Sequence, residues 1–142
     1  MAVARGISPA GRILAVTHEN PEGDAVGSLV ALGHAAVSLG ADVRLYCESP
    51  IPAYLDWLRY PAPLPASLES LGDWQPDLVV FLDCAEDTRA GEAIVEYVRK
   101  RKQAGLKTAC IDHHVANPGY ADNNWVDAAM SATGAMVALL AT

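Results

Sequence analysis

Residues 77–83 read DLVVFLD, which is the clearest strand pattern in the chain. Five consecutive apolar residues lie between two aspartates, and a short apolar run of this kind is typical of a strand covered on both faces. Three other stretches are also predicted to be strands: RILAVTH at 12–18, DVRLYC at 42–47 and LKTACI at 106–111. The sequence therefore predicts a sheet of four buried strands.

Helical patterns lie between these strands and after the last one. The predicted helical segments are 24–39, 68–74, 88–104 and 131–141, and the proline-rich stretch 51–65 is predicted to hold a short helix and an irregular connection. A short edge strand is predicted at Trp125 and Val126. The last helical segment is almost wholly apolar, so we expect it to be buried. Strands that alternate with helices indicate βαβ units, so the predicted fold class is α/β, a three-layer α/β/α Rossmann-like domain with a mostly parallel sheet.

Composition limits the classes of function. The 142 residues are one domain's worth of chain, 51% hydrophobic and 19% charged, which is typical of a globular protein. A net charge of -7 argues against a partner that is a long nucleic acid duplex. Three widely spaced cysteines without a C-x-x-C pair favour reduced thiols and a cytoplasmic location. No apolar run is long enough for a membrane span, so no membrane partner is predicted.

Polar residues that bind metals or transfer protons follow three of the predicted strands. They are His18 with Glu22 and Asp24 after the first strand, Asp83 after the third, and Asp112, His113 and His114 after the fourth. In an open parallel sheet, ligands bind beyond the carboxyl ends of the strands. Each motif alone is more typical of a structural role than of a catalytic one, since it could be an exposed strand end or a helix N-cap. Their convergence on one edge favours a site.

Carboxylates that crowd together without counter-charge are costly, and divalent cations remove this cost. Mixed histidine and carboxylate ligands suit Mn, Zn or Fe. The number of donors is sufficient for two ions that share one carboxylate, hold a phosphate and activate a water. The residues therefore predict a centre of two divalent ions.

Four stretches, HENPEGDAVGS, FLDCAED, IDHHVAN and NNWVDAAMSATGAM, together resemble the DHH phosphoesterases. The first and last are similar to the signatures of the branch that contains nanoRNases and phosphatases of 3′-phosphoadenosine 5′-phosphate (pAp). The resemblance implies a two-metal hydrolase, usually Mn-dependent, that degrades short oligoribonucleotides or removes phosphate from pAp. The implied partners are therefore a small nucleotide or a short single-stranded RNA, and the implied assembly is often a homodimer.

The resemblance also implies a role for each metal ligand. His18 and Glu22 would bind the first ion, Asp24 and His113 would bind the second, and Asp83 would bridge both.

Five other residues receive roles from the same resemblance. Asp112 would orient a histidine, and His114 would face the scissile phosphate and stabilise charge there. Asn20, Gly27 and Ser28 would shape the first turn and the helix start, whose N–H groups favour anions.

The chain departs from the family pattern in three places. Glu22 and Ala135 stand where the family usually has Asp and Glu. The chain also ends before the family's fourth motif and its C-terminal DHHA1 domain. We therefore expect residues 1–142 to be an incomplete DHH catalytic domain that is nearly inactive alone.

Two alternatives stay open. One keeps the fold and hydrolyses cyclic dinucleotides or polyphosphate. The other is a degenerate, non-catalytic module that binds metal or nucleotide.

Overall fold

The computed structural model describes residues 11–142, which form a five-stranded sheet with three α-helices. The strands are β1 (Arg12–Thr17), β2 (Asp42–Tyr46), β3 (Leu78–Leu82), β4 (Lys107–Asp112) and β5 (Asn123–Val126). The helices are α1 (Gly23–Ser38), α2 (Glu92–Lys102) and α3 (Thr133–Leu140). Every strand pair is parallel, and the order is β2-β1-β3-β4-β5. The predicted strands, including the edge strand, are confirmed with ends shifted by one or two residues.

The alternating side chains of each strand enter two separate cores. Ile13 and Ala15 of β1 pack on the face that α1 and α3 cover, where Leu29 and Met136 are buried. Leu14 and Val16 face the opposite core, with the buried side chains of α2. Helices therefore cover both faces of the sheet, which confirms the three-layer α/β/α prediction.

The chain order reverses between β1 and β3, because β2 lies outside β1 and the chain then returns to the other side of β1. In parallel sheets such a switch point opens a crevice at the carboxyl edge, since the two following segments diverge to opposite faces. The residues that follow β1 and β3 are thus placed at the edge where ligands bind.

The prediction of a single helix over 88–104 is wrong. A 3₁₀ turn, Asp87–Ala90, comes first, and α2 begins only after Gly91. Gly91 has a φ of 113°, and a Cβ at this position would collide with the Glu48 carboxylate. Glu48 accepts the Ala93 N–H at 3.1 Å, so a residue from the segment after β2 caps α2.

The other helical predictions are confirmed in part. The stretches 51–65 and 68–74 each contain a three-residue 3₁₀ helix, Ala53–Leu55 and Glu69–Leu71. Four prolines in 51–65 remove the N–H donors that a longer helix needs. In α3 one side packs on α1, whereas Leu139 is 56% exposed.

None of the helices within residues 11–142 combines the length and the apolar character that crossing a bilayer requires.

Candidate metal centre

Three neighbouring strands end at one edge of the sheet, because Thr17 pairs with Leu82, and Leu82 pairs with Ile111. His18 and Asp83 directly follow these strand ends. Asp83 adopts a φ of 60°, which is uncommon for a residue other than glycine and turns the chain sharply out of β3. The predicted convergence of the strand-end motifs therefore occurs in the structure.

The first group of donors consists of His18, Glu22 and Asp83. The Nε2 atom of His18 lies 3.3 Å from Oε1 of Glu22 and 3.6 Å from Oδ2 of Asp83. Its Nδ1 atom lies 2.7 Å from the Glu19 carbonyl, to which it donates. That bond fixes the ring and leaves Nε2 directed at the two carboxylates, as in a metal-binding histidine.

Charge in this group favours a cation. The nearby Asp83 carboxylate raises the pKa of His18 to about 9, although burial opposes this shift. Burial raises the pKa of Glu22, but hydrogen bonds from two backbone N–H groups and from His18 outweigh it, so the pKa is lowered. Imidazole binds a metal ion in its neutral form, so an ion here would take the place of the His18 proton.

Glu22 also caps helix α1. Its carboxylate accepts the N–H groups of Asp24 at 2.9 Å and Ala25 at 3.2 Å. The N–H groups at such a helix start favour anions. In the structure two of them bind Glu22 itself.

The second group of donors is built around His113. Its Nε2 atom lies 3.5 Å from Oδ2 of Asp24 and 3.5 Å from Oδ1 of Asp83. Its Nδ1 atom is 3.3 Å from the Met130 carbonyl, so this ring is also oriented by the backbone. Asp83 therefore directs one oxygen toward His18 and the other toward His113.

The first residues of helix α3 hold the carboxylates of Asp24 and Asp83 by hydrogen bonds. Asp24 accepts the N–H of Thr133 at 2.9 Å and of Gly134 at 2.8 Å, and the Thr133 hydroxyl donates to Asp83 at 2.9 Å. The sequence reasoning gave these residues no role, although the SATGA stretch that contains them was one of the motifs behind the resemblance. Their contacts explain how that motif serves the centre.

The separations between donors fit a bound ion better than direct hydrogen bonds. Good N–H···O bonds span ~2.7–3.2 Å, whereas the four His···carboxylate separations are 3.3–3.6 Å. Ligands at ~2.1 Å from one ion with tetrahedral or octahedral angles lie roughly 3.0–3.4 Å apart. Two sets of donors bring their ligand atoms within 4.8 Å of one another and could hold a metal ion: His18, Glu22 and Asp83, and Asp83, His113 and His114. Asp24 joins the second set only through its 3.5 Å separation from His113.

The predicted positioning residue Asp112 contacts His114. Asp112 is completely buried, and its Oδ1 lies 2.6 Å from Nδ1 of His114. The amide of Asn117 donates to the other oxygen at 2.7 Å. The same His114 nitrogen is 3.9 Å from Asp83. Because its contact with Asp112 is much shorter, we infer that Asp112 orients the His114 ring. Asn117, in the quoted IDHHVAN stretch, was not among the candidate residues.

An open depression of about 450 Å³ exposes the centre, and Arg89 lies on its wall. The lining residues are His18, Glu22, Asp24, Asp83, Arg89, His113, His114, Ser131 and Ala132. A smaller recess beside it is lined by His18, Asp83, Ala85, Arg89 and His114. Sequence reasoning missed Arg89, because a single arginine after a strand has no periodic or motif signal.

Of the three residues predicted to shape the turn and helix start, Asn20 lies in the turn, with a φ of 52° and its N–H bonded to the Ser49 hydroxyl. Gly27 lies inside α1, and a Cβ there would contact nothing within 4 Å. Ser28 is buried and donates its hydroxyl to the Ala25 carbonyl at 3.0 Å. Neither Gly27 nor Ser28 lines the depression described above.

The chain is similar to known proteins over nearly its whole described length. The family described as DHH family, N-terminal domain, matches residues 12–142. A bifunctional oligoribonuclease and PAP phosphatase NrnA from Thermus thermophilus is 31% identical over 128 residues, which cover 89% of this chain and 35% of that protein. An exopolyphosphatase-related protein from Bacteroides fragilis shares the fold, with a TM-score of 0.79 at 22% identity, over 98% of this chain and 41% of its own. The chain thus spans about a third of the length of the curated relative.

Proposed function

Because this chain belongs to the DHH family, we propose that it is the catalytic domain of a metal-dependent phosphoesterase. The proposed reaction is hydrolysis of short oligoribonucleotides, of pAp, or of both, with two divalent ions, most suitably Mn. One observation carries the proposal: the two oxygens of the buried Asp83 face the Nε2 atoms of His18 and His113, at 3.6 and 3.5 Å. This is the arrangement that a carboxylate shared by two ions requires.

In this proposal His18, Glu22 and Asp83 hold the first ion, and Asp24, His113 and Asp83 hold the second. When bound, such ions polarise a phosphate and lower the pKa of a water molecule. Mixed imidazole and carboxylate donors are compatible with Mn, and also with Zn or Fe. The choice of Mn rests on the family resemblance.

The charge of the depression supports a role for cations. Glu22, Asp24 and Asp83 line it with three carboxylates, against one arginine, Arg89. A phosphate would be repelled by this excess of negative charge. Two divalent ions reverse the sign, so the same residues then attract a phosphoester.

His114 is the proposed contact to the scissile phosphate. Donation of Nδ1–H to Asp112 fixes one tautomer and leaves Nε2 for the depression. When Nε2 also carries a proton, the resulting imidazolium would stabilise charge on phosphate oxygens or transfer that Nε2 proton to the leaving oxygen. Asp112 acts through His114, because it is buried and does not line the depression.

The test uses the whole protein that contains this chain, freed of metal by chelation and then supplied with Mn²⁺. We expect mononucleotides from a dinucleotide RNA, or phosphate from pAp, and a loss of roughly 10³-fold or more in Asp83→Asn, because this change disrupts both ion sites. Asp56→Asn is the matched control, since Asp56 is exposed and lies outside the depression.

Three outcomes would redirect or end the proposal. Turnover of cyclic dinucleotides or polyphosphate alone would change the substrate class. Binding of one weak ion per chain, with no turnover, would favour the degenerate module. Activity that survives chelation would refute the metal-dependent mechanism.

A further inference from the structure

Arg89 contributes the one lysine or arginine side chain to the walls of the depression, and it also lines the adjoining recess with His18, Asp83 and His114. Within residues 11–142 its guanidinium makes no hydrogen bond or ion pair with a protein group. By contrast, Arg99 on the following helix is paired with Glu96 at 2.7 Å. The structure therefore presents an unpaired cation beside the metal centre of an acidic chain.

The backbone of Arg89 is held firmly although its side chain is exposed. Its carbonyl accepts the Glu19 N–H at 2.8 Å, which joins it to the turn that carries His18. Its own N–H donates to the Glu86 carbonyl at 3.1 Å, and the next residue, Ala90, is completely buried. The backbone that carries the guanidinium is therefore held beside the turn that follows β1.

Guanidinium suits this position for a chemical reason. It is charged at all relevant pH values and presents a planar fork of donors that matches two oxygens of a phosphate. With both ion sites filled, the three lining carboxylates are more than neutralised, and an anion is the species that the pocket then favours. Arg89 and His114 both line the recess, so an anion bound there would lie near both.

We propose that Arg89 binds the substrate's phosphate in this recess, opposite His114, and so selects substrates that present a non-bridging phosphate oxygen there. This inference rests on the proposed phosphoesterase function. Arg89 is a binding residue in this view, and its loss affects KM more than kcat.

The experiment measures binding of inorganic phosphate to the Mn-loaded whole protein by calorimetry, so it does not depend on turnover. We expect Arg89→Gln to weaken phosphate binding roughly 10- to 100-fold, the loss typical of a charge-assisted pair. Arg89→Lys is expected to lie between Gln and wild type, because lysine keeps the charge without the fork. Binding of Mn²⁺ alone should be the same in all variants.

Arg99→Gln is the matched control, since Arg99 is exposed and lies outside the depression. Wild-type phosphate affinity in Arg89→Gln, or no phosphate binding in the wild type, would overturn the inference. If the wild type hydrolyses a phosphoester and Arg89→Gln keeps its KM, the Arg89 inference alone fails. If the wild type hydrolyses none of the substrates tested above, the proposed function fails, whatever the variant binds.

Discussion

Replacing Asn117 by alanine tests whether Asp112 depends on a neighbour to orient His114. The Asn117 amide donates to Oδ2 of Asp112 at 2.7 Å and to the Cys84 carbonyl at 3.1 Å. Asp112 is 0% exposed, so water does not readily replace the lost donor. Without the Asn117 amide, Oδ2 of this buried carboxylate has no hydrogen-bond donor within residues 11–142. Only Oδ1 keeps a partner, which is Nδ1 of His114.

The size of the effect follows from these contacts. A hydrogen bond to a charged group contributes about 1.5–3 kcal/mol, and the larger part of that range applies when the remaining partner is buried. The Cys84 carbonyl retains the Tyr120 hydroxyl at 3.0 Å, so its loss adds little. We therefore expect Asn117→Ala to lower the free energy of unfolding by about 2–3 kcal/mol, or roughly 6–12 °C in Tm for a domain of this size.

Activity should fall as well, since His114 loses its fixed orientation. Removal of a hydrogen-bond partner that orients a site residue typically costs about 10- to 100-fold in activity. We expect this loss in kcat, with KM nearly unchanged, in a hydrolysis assay on the whole protein. The assay is run well below the Tm of the variant, so that the folded fraction is the same.

Asn124→Ala is the control for general destabilisation. The side chain of Asn124, on the edge strand β5, makes two hydrogen bonds with Ala121, at 3.1 and 2.7 Å, and both are exposed. It should lower Tm slightly and leave kcat unchanged. If Asn117→Ala lowers Tm while kcat stays at the wild-type value, the role assigned to Asp112 is wrong; an unchanged Tm would show that the buried carboxylate does not need this donor.

Three further predictions concern other contacts. Gly134→Ala places a Cβ 3.2 Å from Oδ1 of Asp24, so we expect weaker binding of one of two Mn²⁺ ions in a calorimetric titration; two unchanged affinities would contradict the placement of Asp24. Glu22→Gln keeps one of the two acceptor oxygens of the helix cap and should therefore cost less stability than Glu22→Ala, which should cost about 0.5–2 kcal/mol, while both changes weaken Mn²⁺ binding; equal Mn²⁺ affinity in Gln and wild type would remove Glu22 from the ligand set. Although burial raises the pKa of Asp122, hydrogen bonds from Thr108 outweigh it and lower the pKa below 3.8, so its stabilisation is present above that pH and lost as the pH falls further. Asp122→Asn should therefore reduce Tm more at pH 7 than at pH 2, and an equal loss at both would refute the linkage.

Much of the fold could be predicted because each strand and helix carries its own local pattern. The apolar run of 77–83 became β3 with nearly the predicted ends, and α1 matches its predicted span within a residue. The failure at 88–104 has a distant cause. Glu48, more than forty residues earlier, occupies the space beside Gly91 and caps α2, and no local periodicity encodes that contact.

The candidate site shows the same division. The sequence by itself determined which donors exist and, through the parallel-sheet rule, that His18, Asp83 and His113 share one edge. The tertiary structure decided how each is held: which nitrogen of each imidazole faces the carboxylates, and how α3, over a hundred residues from Asp24 in the chain, fixes that side chain. It also decided that Arg89 faces the centre. The physical reason is the sequence separation of the interacting residues. Residue type and the apolar pattern of a strand can be read from neighbouring residues, whereas the orientation of a side chain depends on contacts that form only when distant segments pack together.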